Sequence, residues 1–215
     1  MADLDSRAGV RYTTPAILDY VDRTHVPHDP GLARAFTVPE GIPAIQVSPS
    51  DGRMLHLLLR LIEARKVVEL GTLLGYSALH MARALAPGGR LWTIELDPHH
   101  AELAHGNLVA AGVADRVSVI VGAAREVLPM LEPEGPFDAV FIDADKEGYD
   151  YYGAWAVQHL RRGGLVLGDN AYLFGELMDD SPRARAMRAF HEQIASTCDS
   201  VCAPTPDGLV VGIKR

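Results

Sequence analysis

The chain has 215 residues, 48% of them hydrophobic, and a formal net charge of −8. This length is sufficient for one domain with a sizeable core, and the acidic balance argues against tight binding to nucleic acid or to anionic membranes. Two cysteines are too few for a disulfide framework or a zinc site, and the sequence has neither a membrane-spanning apolar run nor a signal-peptide core, so we expect a cytoplasmic protein.

The N-terminal part of the sequence predicts helices separated by proline-rich loops. Residues 14–25 form an amphipathic segment, and the stretch after it, which is broken up by Pro27, Pro30, Pro39 and Pro43, predicts a loop with a short helix at residues 32–36. Ser48 and Pro49 are typical cap and first-turn residues, and apolar residues at helical spacing follow them. We interpret residues 26–49 as a surface flap of the same domain and not as a linker.

The next stretch, V-V-E-L-G-T-L-L-G-Y-S at residues 67–77, predicts a buried strand, a tight glycine turn and a helix. Glycines let the backbone approach a ligand closely, and the free N–H groups at a helix N-terminus favour an anionic group. The spacing is not G-x-G-x-x-G, so a dinucleotide pyrophosphate is not indicated. Glu69, before Gly71, suits a ligand with an ammonium group. Taken alone, the pattern also fits any β-to-α turn.

Strands and helices then alternate along the chain. The sequence predicts strands at residues 90–95, 116–121, 137–142 and 163–168, and helices at residues 97–110, 123–131, 146–162 and from Ser181 onward. Asp207-Gly208, between two β-like runs, predicts a closing hairpin. The fold class is therefore α/β, with a mostly parallel central sheet, right-handed crossovers and a C-terminal antiparallel β-hairpin.

Polar and small residues follow five of the predicted strands. Ligands of an open parallel sheet bind outside the carboxyl ends of its strands, so these residues share one edge. The residues are Glu69–Gly71, Glu95, Gly122–Ala124, Asp143–Lys146 and Asp169–Asn170. Their convergence is a stronger indication of a binding site than any single motif.

Glu95 lies 20 residues beyond Gly75, where a carboxylate can accept hydrogen bonds from both hydroxyls of a ribose. The alternative is an N-cap or exposed turn residue, although Asp97 before Pro98 already supplies a cap. The small residues 122–124 suit a flat ring lying close to the backbone, and they are equally consistent with a simple helix entry.

Asp143, Asp169 and Asn170 offer two carboxylates and an amide oxygen, which are hard ligands suited to Mg²⁺. Carboxylates at adjacent strand ends repel each other unless a cation lies between them. A lysine beside a metal-held hydroxyl can accept its proton, which gives Lys146 a role as a base. The structural alternatives are that Asp145 caps the helix that starts at Lys146, that Asp169 caps a turn, and that Lys146 is only solvated.

Other residue types give no site. The nine histidines, including the adjacent His99 and His100, are interpreted as surface or helix-packing residues. Tyr149, Tyr151 and Tyr152 are interpreted as packing residues. Cys198 and Cys202 are expected to straddle a helix-to-strand boundary.

Six motifs together carry a family resemblance that extends from about residue 44 to residue 215. They are V-V-E-L-G-T-L-L-G-Y-S, T-I-E-L-D-P, V-G-A-A, F-D-A-V-F-I-D-A-D-K-E-G-Y, G-G-L-V-L-G-D-N and P-D-G-L-V-V-G-I-K-R. With them the sequence resembles the class I S-adenosylmethionine-dependent O-methyltransferases. It is most similar to the metal-dependent branch that contains catechol and caffeoyl-coenzyme A O-methyltransferases and their bacterial relatives.

The resemblance implies a Rossmann-like methyltransferase fold with helices on both faces of the sheet, a homodimer, and methyl transfer from S-adenosylmethionine to a catechol-type small molecule assisted by Mg²⁺. It implies a single domain over residues 1–215, with residues 1–47 forming a helical segment and a flap over the active site. The implied cofactor-binding residues are Val47, Glu69, Gly71, Gly75, Ser77, Glu95, Ala124 and Asp143. The implied metal ligands are Asp143, Asp169 and Asn170, and the implied catalytic residues are Lys146 and Asp143.

Two departures from the family pattern leave the acceptor open. Animal catechol enzymes have an aromatic pair where this chain has Ala144-Asp145, and plant enzymes have a tryptophan where it has Leu173. The alternatives are O-methylation of a hydroxylated uridine in transfer RNA, against which the acidic balance argues, and a non-catalytic cofactor-binding relative. The retained ligand set and Lys146 argue against the second alternative.

Overall fold

The computed structural model of the protein describes residues 14–215, so residues 1–13 of the predicted N-terminal segment lie outside the described residues. The helices are α1 Pro15–His25, α2 Pro30–Phe36, α3 Pro49–Leu61, α4 Tyr76–Ala84, α5 Pro98–Ala110, α6 Ala124–Leu131, α7 Tyr149–His159 and α8 Pro182–Thr197. The strands are β1 Lys66–Leu70, β2 Arg90–Glu95, β3 Val117–Val121, β4 Phe137–Ile142, β5 Leu160–Gly168, β6 Cys198–Ala203 and β7 Leu209–Lys214. Short 3₁₀ turns include Lys146–Gly148 and Leu173–Gly175.

The seven strands form one sheet in the order β3-β2-β1-β4-β5-β7-β6. The first five of these strands pair in parallel, and β7 pairs antiparallel with both β5 and β6. The predicted mostly parallel sheet with an antiparallel hairpin is confirmed. The strand order reverses between β1 and β4, and ligands of such sheets bind above that reversal point.

Helices cover both faces of the sheet, as predicted. Successive strand residues point to opposite faces, so Val67 and Val68 of β1 belong to two separate apolar cores. One core is completed by α6, α7 and α8, and the other by α2, α3, α4 and α5. With both faces covered, the carboxyl edge of the strands remains the place where polar side chains can gather.

Two predicted boundaries are wrong. The helix predicted at residues 146–162 ends at His159, because Leu160 is buried and already pairs with Phe137 as the first residue of β5. Strand β6 begins at Cys198, so both cysteines lie within one strand and do not straddle a boundary. In each case strand pairing decides the backbone conformation, and the local pattern does not encode that pairing.

Helix α1 begins after Thr14, whose hydroxyl accepts a hydrogen bond from the Ile17 N–H. None of the described residues of α1 is buried, and Ile17, Leu18 and Tyr20 are exposed. No helix within residues 14–215 is long and apolar enough to cross a membrane. The homodimer and the cytoplasmic location stay predictions.

Candidate active site

A cavity of about 740 Å³ opens at the carboxyl edge of the sheet, where the strand order reverses. It is lined by eight of the residues that the sequence singled out: Val47, Gly71, Ser77, Glu95, Ala124, Asp143, Lys146 and Asn170. Glu69, Gly75 and Asp169 are not among the lining residues. Residues 44–47 of the predicted flap also contribute to the wall.

The turn between β1 and α4 depends on Gly71. Its φ of +90° lies in the left-handed region, and a Cβ at this position would clash with the carbonyl oxygen of Asp143. The Asp143 N–H in turn donates to the Leu70 carbonyl oxygen at 2.8 Å. Glycine at this position therefore lets the ends of β1 and β4 lie side by side. Gly75 is the left-handed N-cap of α4 and faces Ala104, so it shapes the turn from behind the cavity wall.

Glu69 is fully buried behind Ser77, whose hydroxyl donates to its Oε1 at 2.5 Å. Its Oε2 is also buried, and it has no hydrogen-bond partner within the described part of the chain. Burial raises the pKa of Glu69 to about 8. A buried carboxyl oxygen without a donor suits a cationic group that enters past Ser77.

Glu95 is held by backbone donors from two loops. Its Oε2 accepts from the N–H groups of Thr72 at 3.0 Å and Leu73 at 2.8 Å, and its Oε1 accepts from Asp97 N–H at 3.0 Å. Asp97 caps α5 by accepting from His99 N–H, as predicted. The Glu95 carboxylate is therefore fixed at the cavity wall and is not itself the cap of α5.

Asp143, Asp169 and Asn170 lie at one corner, where β4 and β5 end. The Asp169 N–H donates to the Ile142 carbonyl at 3.0 Å, and Asn170 lines the cavity with a positive φ of 51°. Asp169 is 4% exposed, and its Oδ1 has no partner among residues 14–215. Burial, and next the charge of Asp143, raise the pKa of Asp169 to about 7.

The donor atoms at this corner are of mixed type. Residues 14–215 contain no group of three or more His, Cys, Asp or Glu side chains that could hold a metal ion. The corner instead offers two carboxylates and one amide, which are hard oxygen ligands. Asp145 has no capping hydrogen bond and accepts from the Tyr152 hydroxyl, so the alternative role as a cap is not observed.

Lys146 is half-buried and paired. Its Nζ donates to Asp143 Oδ1 at 2.9 Å and to the Tyr149 hydroxyl at 3.1 Å. The lysine is thus held by two acceptors at the cavity wall and is not a freely solvated side chain. Burial, followed by the charges of Asp143 and Asp169, raises the pKa of Tyr149 far above its usual value, so its phenol stays protonated.

Several cavity residues were missed by sequence reasoning. His100 lines the cavity, with its Nδ1 at 3.7 Å from Glu95 Oε1, and Tyr152 also contributes to the wall. Phe174 lines the cavity, whereas Leu173 is fully buried. The first turn of a helix that follows a strand end faces the carboxyl edge, and this rule alone identifies His100.

Comparisons with known proteins agree with this geometry. A family model described as O-methyltransferase matches residues 31–214. The chain is 45% identical to catechol O-methyltransferase of Mycobacterium tuberculosis over 177 residues, which cover 81% of this chain and 80% of that protein. It is 41% identical to catechol O-methyltransferase of Niastella koreensis over 211 residues, which cover 93% of each protein.

A solved structure shares the overall fold. The O-methyltransferase TomG of Streptomyces achromogenes, involved in tomaymycin synthesis and determined in complex with SAM, matches with a TM-score of 0.86 and 37% identity. The match covers 93% of this chain and 96% of that chain. The Rossmann-like methyltransferase fold predicted from the sequence is confirmed.

Proposed function

We propose, because this chain belongs to the O-methyltransferase family, that it methylates one hydroxyl of a vicinal dihydroxy aromatic molecule with the help of a divalent cation. Membership of this family means that the chain is an S-adenosylmethionine-dependent enzyme that methylates a hydroxyl oxygen. We propose three things beyond family membership: that the acceptor has vicinal hydroxyls, that a divalent cation takes part, and that individual residues have the roles given below.

The donor occupies the part of the cavity between β1 and β2. The carboxylate of Glu69, which lies behind Ser77, accepts a hydrogen bond from the ammonium group of the methionine part. The carboxylate of Glu95 accepts hydrogen bonds from the two ribose hydroxyls. The unpartnered Oε2 of Glu69 supports this placement, since a buried carboxyl oxygen gains most from a cationic partner. Ala124 leaves room for the adenine ring close to the backbone, and bound donor supplies the methyl group as a sulfonium.

The observation that carries the proposal is the buried Oδ1 of Asp169, which has no partner in the described chain and lies at the corner shared with Asp143 and Asn170. These three residues fit Mg²⁺, because a carboxylate pair and an amide oxygen match its preference for hard oxygen ligands. When bound, the ion supplies positive charge that favours the ionised form of a coordinated hydroxyl.

Lys146 accepts the proton of the reacting hydroxyl. Its Nζ lies at the cavity wall and is already oriented by Asp143 Oδ1 at 2.9 Å. The methyl group passes in line from the sulfonium to the oxygen, so the positive and negative charges cancel as the transfer proceeds. The protein therefore acts mainly by positioning the two reactants and by excluding water from the cavity.

The charge of the cavity favours a small neutral or cationic acceptor. Among the described lining residues, Lys146 is the one Lys or Arg side chain. The acidic lining residues are Glu95, Asp97, Asp143, Asp145 and Asp207. A polyanionic acceptor such as RNA would be repelled from these walls, so the observed charges do not favour the hydroxyuridine alternative.

The proposal is tested by a methylation assay with catechol and S-adenosylmethionine, with Mg²⁺ or with EDTA. We expect EDTA to abolish turnover and Asp169→Asn to lower it by about 100-fold or more, because one charged ligand is lost. The exposed Asp115→Asn is the matched control and keeps full activity. Turnover that survives EDTA, or an Asp169→Asn variant with normal activity, would show that the cation has no role.

A further inference from the structure

Tyr149 is a buried polar residue that the reaction as described does not use. It is the first residue of α7 and is fully buried, and its ring packs edge-on against Phe190 with centroids 5.4 Å apart. Its hydroxyl lies 2.8 Å from the Asp169 carbonyl oxygen and 3.0 Å from the Ile142 carbonyl oxygen. The sequence alone indicated a packing residue, but this hydroxyl joins the ends of β4 and β5.

The hydroxyl has a defined direction. Both neighbouring carbonyl oxygens are acceptors, so the single phenolic proton points toward them. The lone pairs of the Tyr149 oxygen are left for a donor, and the Lys146 Nζ donates to that oxygen at 3.1 Å. Lys146 therefore contacts two acceptors at once, Tyr149 Oη and Asp143 Oδ1.

Two acceptors fix the position of the Lys146 Nζ. Asp143 Oδ1 and Tyr149 Oη each accept one hydrogen bond from it, so two directions about the nitrogen are occupied within the protein. The remaining direction is left for a group in the cavity, which Lys146 lines. With only one acceptor, the side chain could rotate, and the Nζ would face the acceptor hydroxyl for only part of the time.

We propose that Tyr149 is a positioning residue for methyl transfer: its hydroxyl, together with Asp143, holds the Lys146 Nζ at the cavity wall so that it faces the acceptor hydroxyl. This inference rests on the proposed function, in which Lys146 is the base. Tyr149 can hold Lys146 in this way because its own hydroxyl is anchored to the Asp169 and Ile142 carbonyl oxygens.

Tyr149→Phe tests the proposal, since it keeps the ring and its contact with Phe190 and removes one oxygen. We expect kcat with catechol to fall about tenfold, the size of one lost hydrogen bond, while the dissociation constant of S-adenosylmethionine measured by calorimetry stays the same. Tyr151→Phe is the matched control, because Tyr151 is two residues away and packs against Arg125 outside this network. We expect the control to keep the wild-type kcat.

A double-mutant cycle separates positioning from a general structural role. If Tyr149 acts through Lys146, adding Tyr149→Phe to Lys146→Ala causes no further loss of kcat. An equal factor in both backgrounds, or a wild-type kcat for Tyr149→Phe alone, overturns the proposal. If Tyr149→Phe does not fold, fluorotyrosine at this position weakens the acceptor without removing it, and an unchanged kcat then overturns the proposal.

The wild-type assay keeps the two inferences apart. If the wild-type protein methylates no catechol, the proposed function fails. If the wild type and Lys146→Ala behave as expected but Tyr149→Phe equals the wild type, only the positioning role fails.

Discussion

Two buried carboxyl groups, those of Glu69 and Asp169, lie behind the cavity wall. Each has one oxygen without a hydrogen-bond partner in the described chain. Burial raises the pKa of Glu69 to about 8 and that of Asp169 to about 7. A cationic ligand removes the cost of ionising such a group. The ammonium of the donor would do so at Glu69, and a divalent cation would do so at Asp169.

Binding of S-adenosylmethionine should therefore release a proton from Glu69. Near pH 7, below the pKa of about 8, Glu69 is mostly protonated in the folded chain, whereas the bound ammonium favours the carboxylate. Calorimetry without Mg²⁺, in two buffers of different ionisation enthalpy, measures the release, and affinity should increase as the pH rises toward 8. Glu69→Gln should bind more weakly and release no proton. The same enthalpy in both buffers would contradict this role.

His80 should make the protein sensitive to acid. It is 3% exposed, its Nε2 has no partner in the described chain, and burial lowers its pKa to about 4. As the pH falls, the unfolded chain, in which histidine has a pKa of ~6.5, binds a proton at His80 before the folded chain does. The contribution of neutral His80 to the free energy of unfolding is therefore complete above pH ~6.5 and is lost as the pH falls toward about 4.

Between about pH 6.5 and pH 5 the loss is about 2 kcal/mol of the free energy of unfolding. Denaturant unfolding at several pH values measures it. His80→Leu should remove this part of the pH dependence, and the exposed His99→Leu should keep it. A parallel pH profile for wild type and His80→Leu would contradict the assignment.

At the scale of elements, the β1–α4 turn sets the distance between the strand ends that carry Glu69 and Asp143. Gly71→Ala adds a Cβ that clashes with the Asp143 carbonyl oxygen, in addition to the cost of a positive φ. Gly88→Ala is the matched control, with a φ of +77° and no atom within 4 Å of an added Cβ.

We expect the control to lose about 1 kcal/mol of stability, the cost of the left-handed conformation, and Gly71→Ala to lose several times more. Chemical denaturation measures both losses. Gly71→Ala should also weaken donor binding, because β1 and β4 must move apart. Equal losses of stability in the two variants would show that the close approach of the two strand ends does not contribute to the free energy of unfolding.

Sequence patterns were sufficient for elements whose boundaries are local. The carboxyl ends of the strands, the Asp97 cap and the Asp207-Gly208 hairpin follow from periodicity and turn chemistry. Features set by long-range contacts did not follow. Leu160 belongs to a strand because it pairs with Phe137. Phe174 lines the cavity because its backbone has a positive φ of 55°, while Leu173 is buried in the core.

The same distinction applies within the site. The sequence indicated that Asp143, Asp169 and Asn170 share one edge, because each follows a predicted strand. It could not indicate that the Tyr149 hydroxyl reaches the Lys146 Nζ, since that contact depends on how α7 packs under the ends of β4 and β5. Side-chain networks of this kind require the tertiary structure.

At the scale of the whole molecule, the reversal of strand order between β1 and β4 brings the wall at Glu95 and the corner at Asp143 and Asn170 into one cavity. Residues separated by about a hundred positions therefore line the same space. The central claim is that a divalent cation binds at Asp143, Asp169 and Asn170.

Direct titration with Mn²⁺, a paramagnetic substitute for Mg²⁺, followed by electron paramagnetic resonance in the presence of S-adenosylmethionine, tests that claim most directly. The account predicts one bound Mn²⁺ per wild-type chain, competition by Mg²⁺, and a loss of affinity of about 10- to 100-fold in Asp169→Asn. Absence of binding to the wild type, or equal binding to Asp169→Asn, would contradict it.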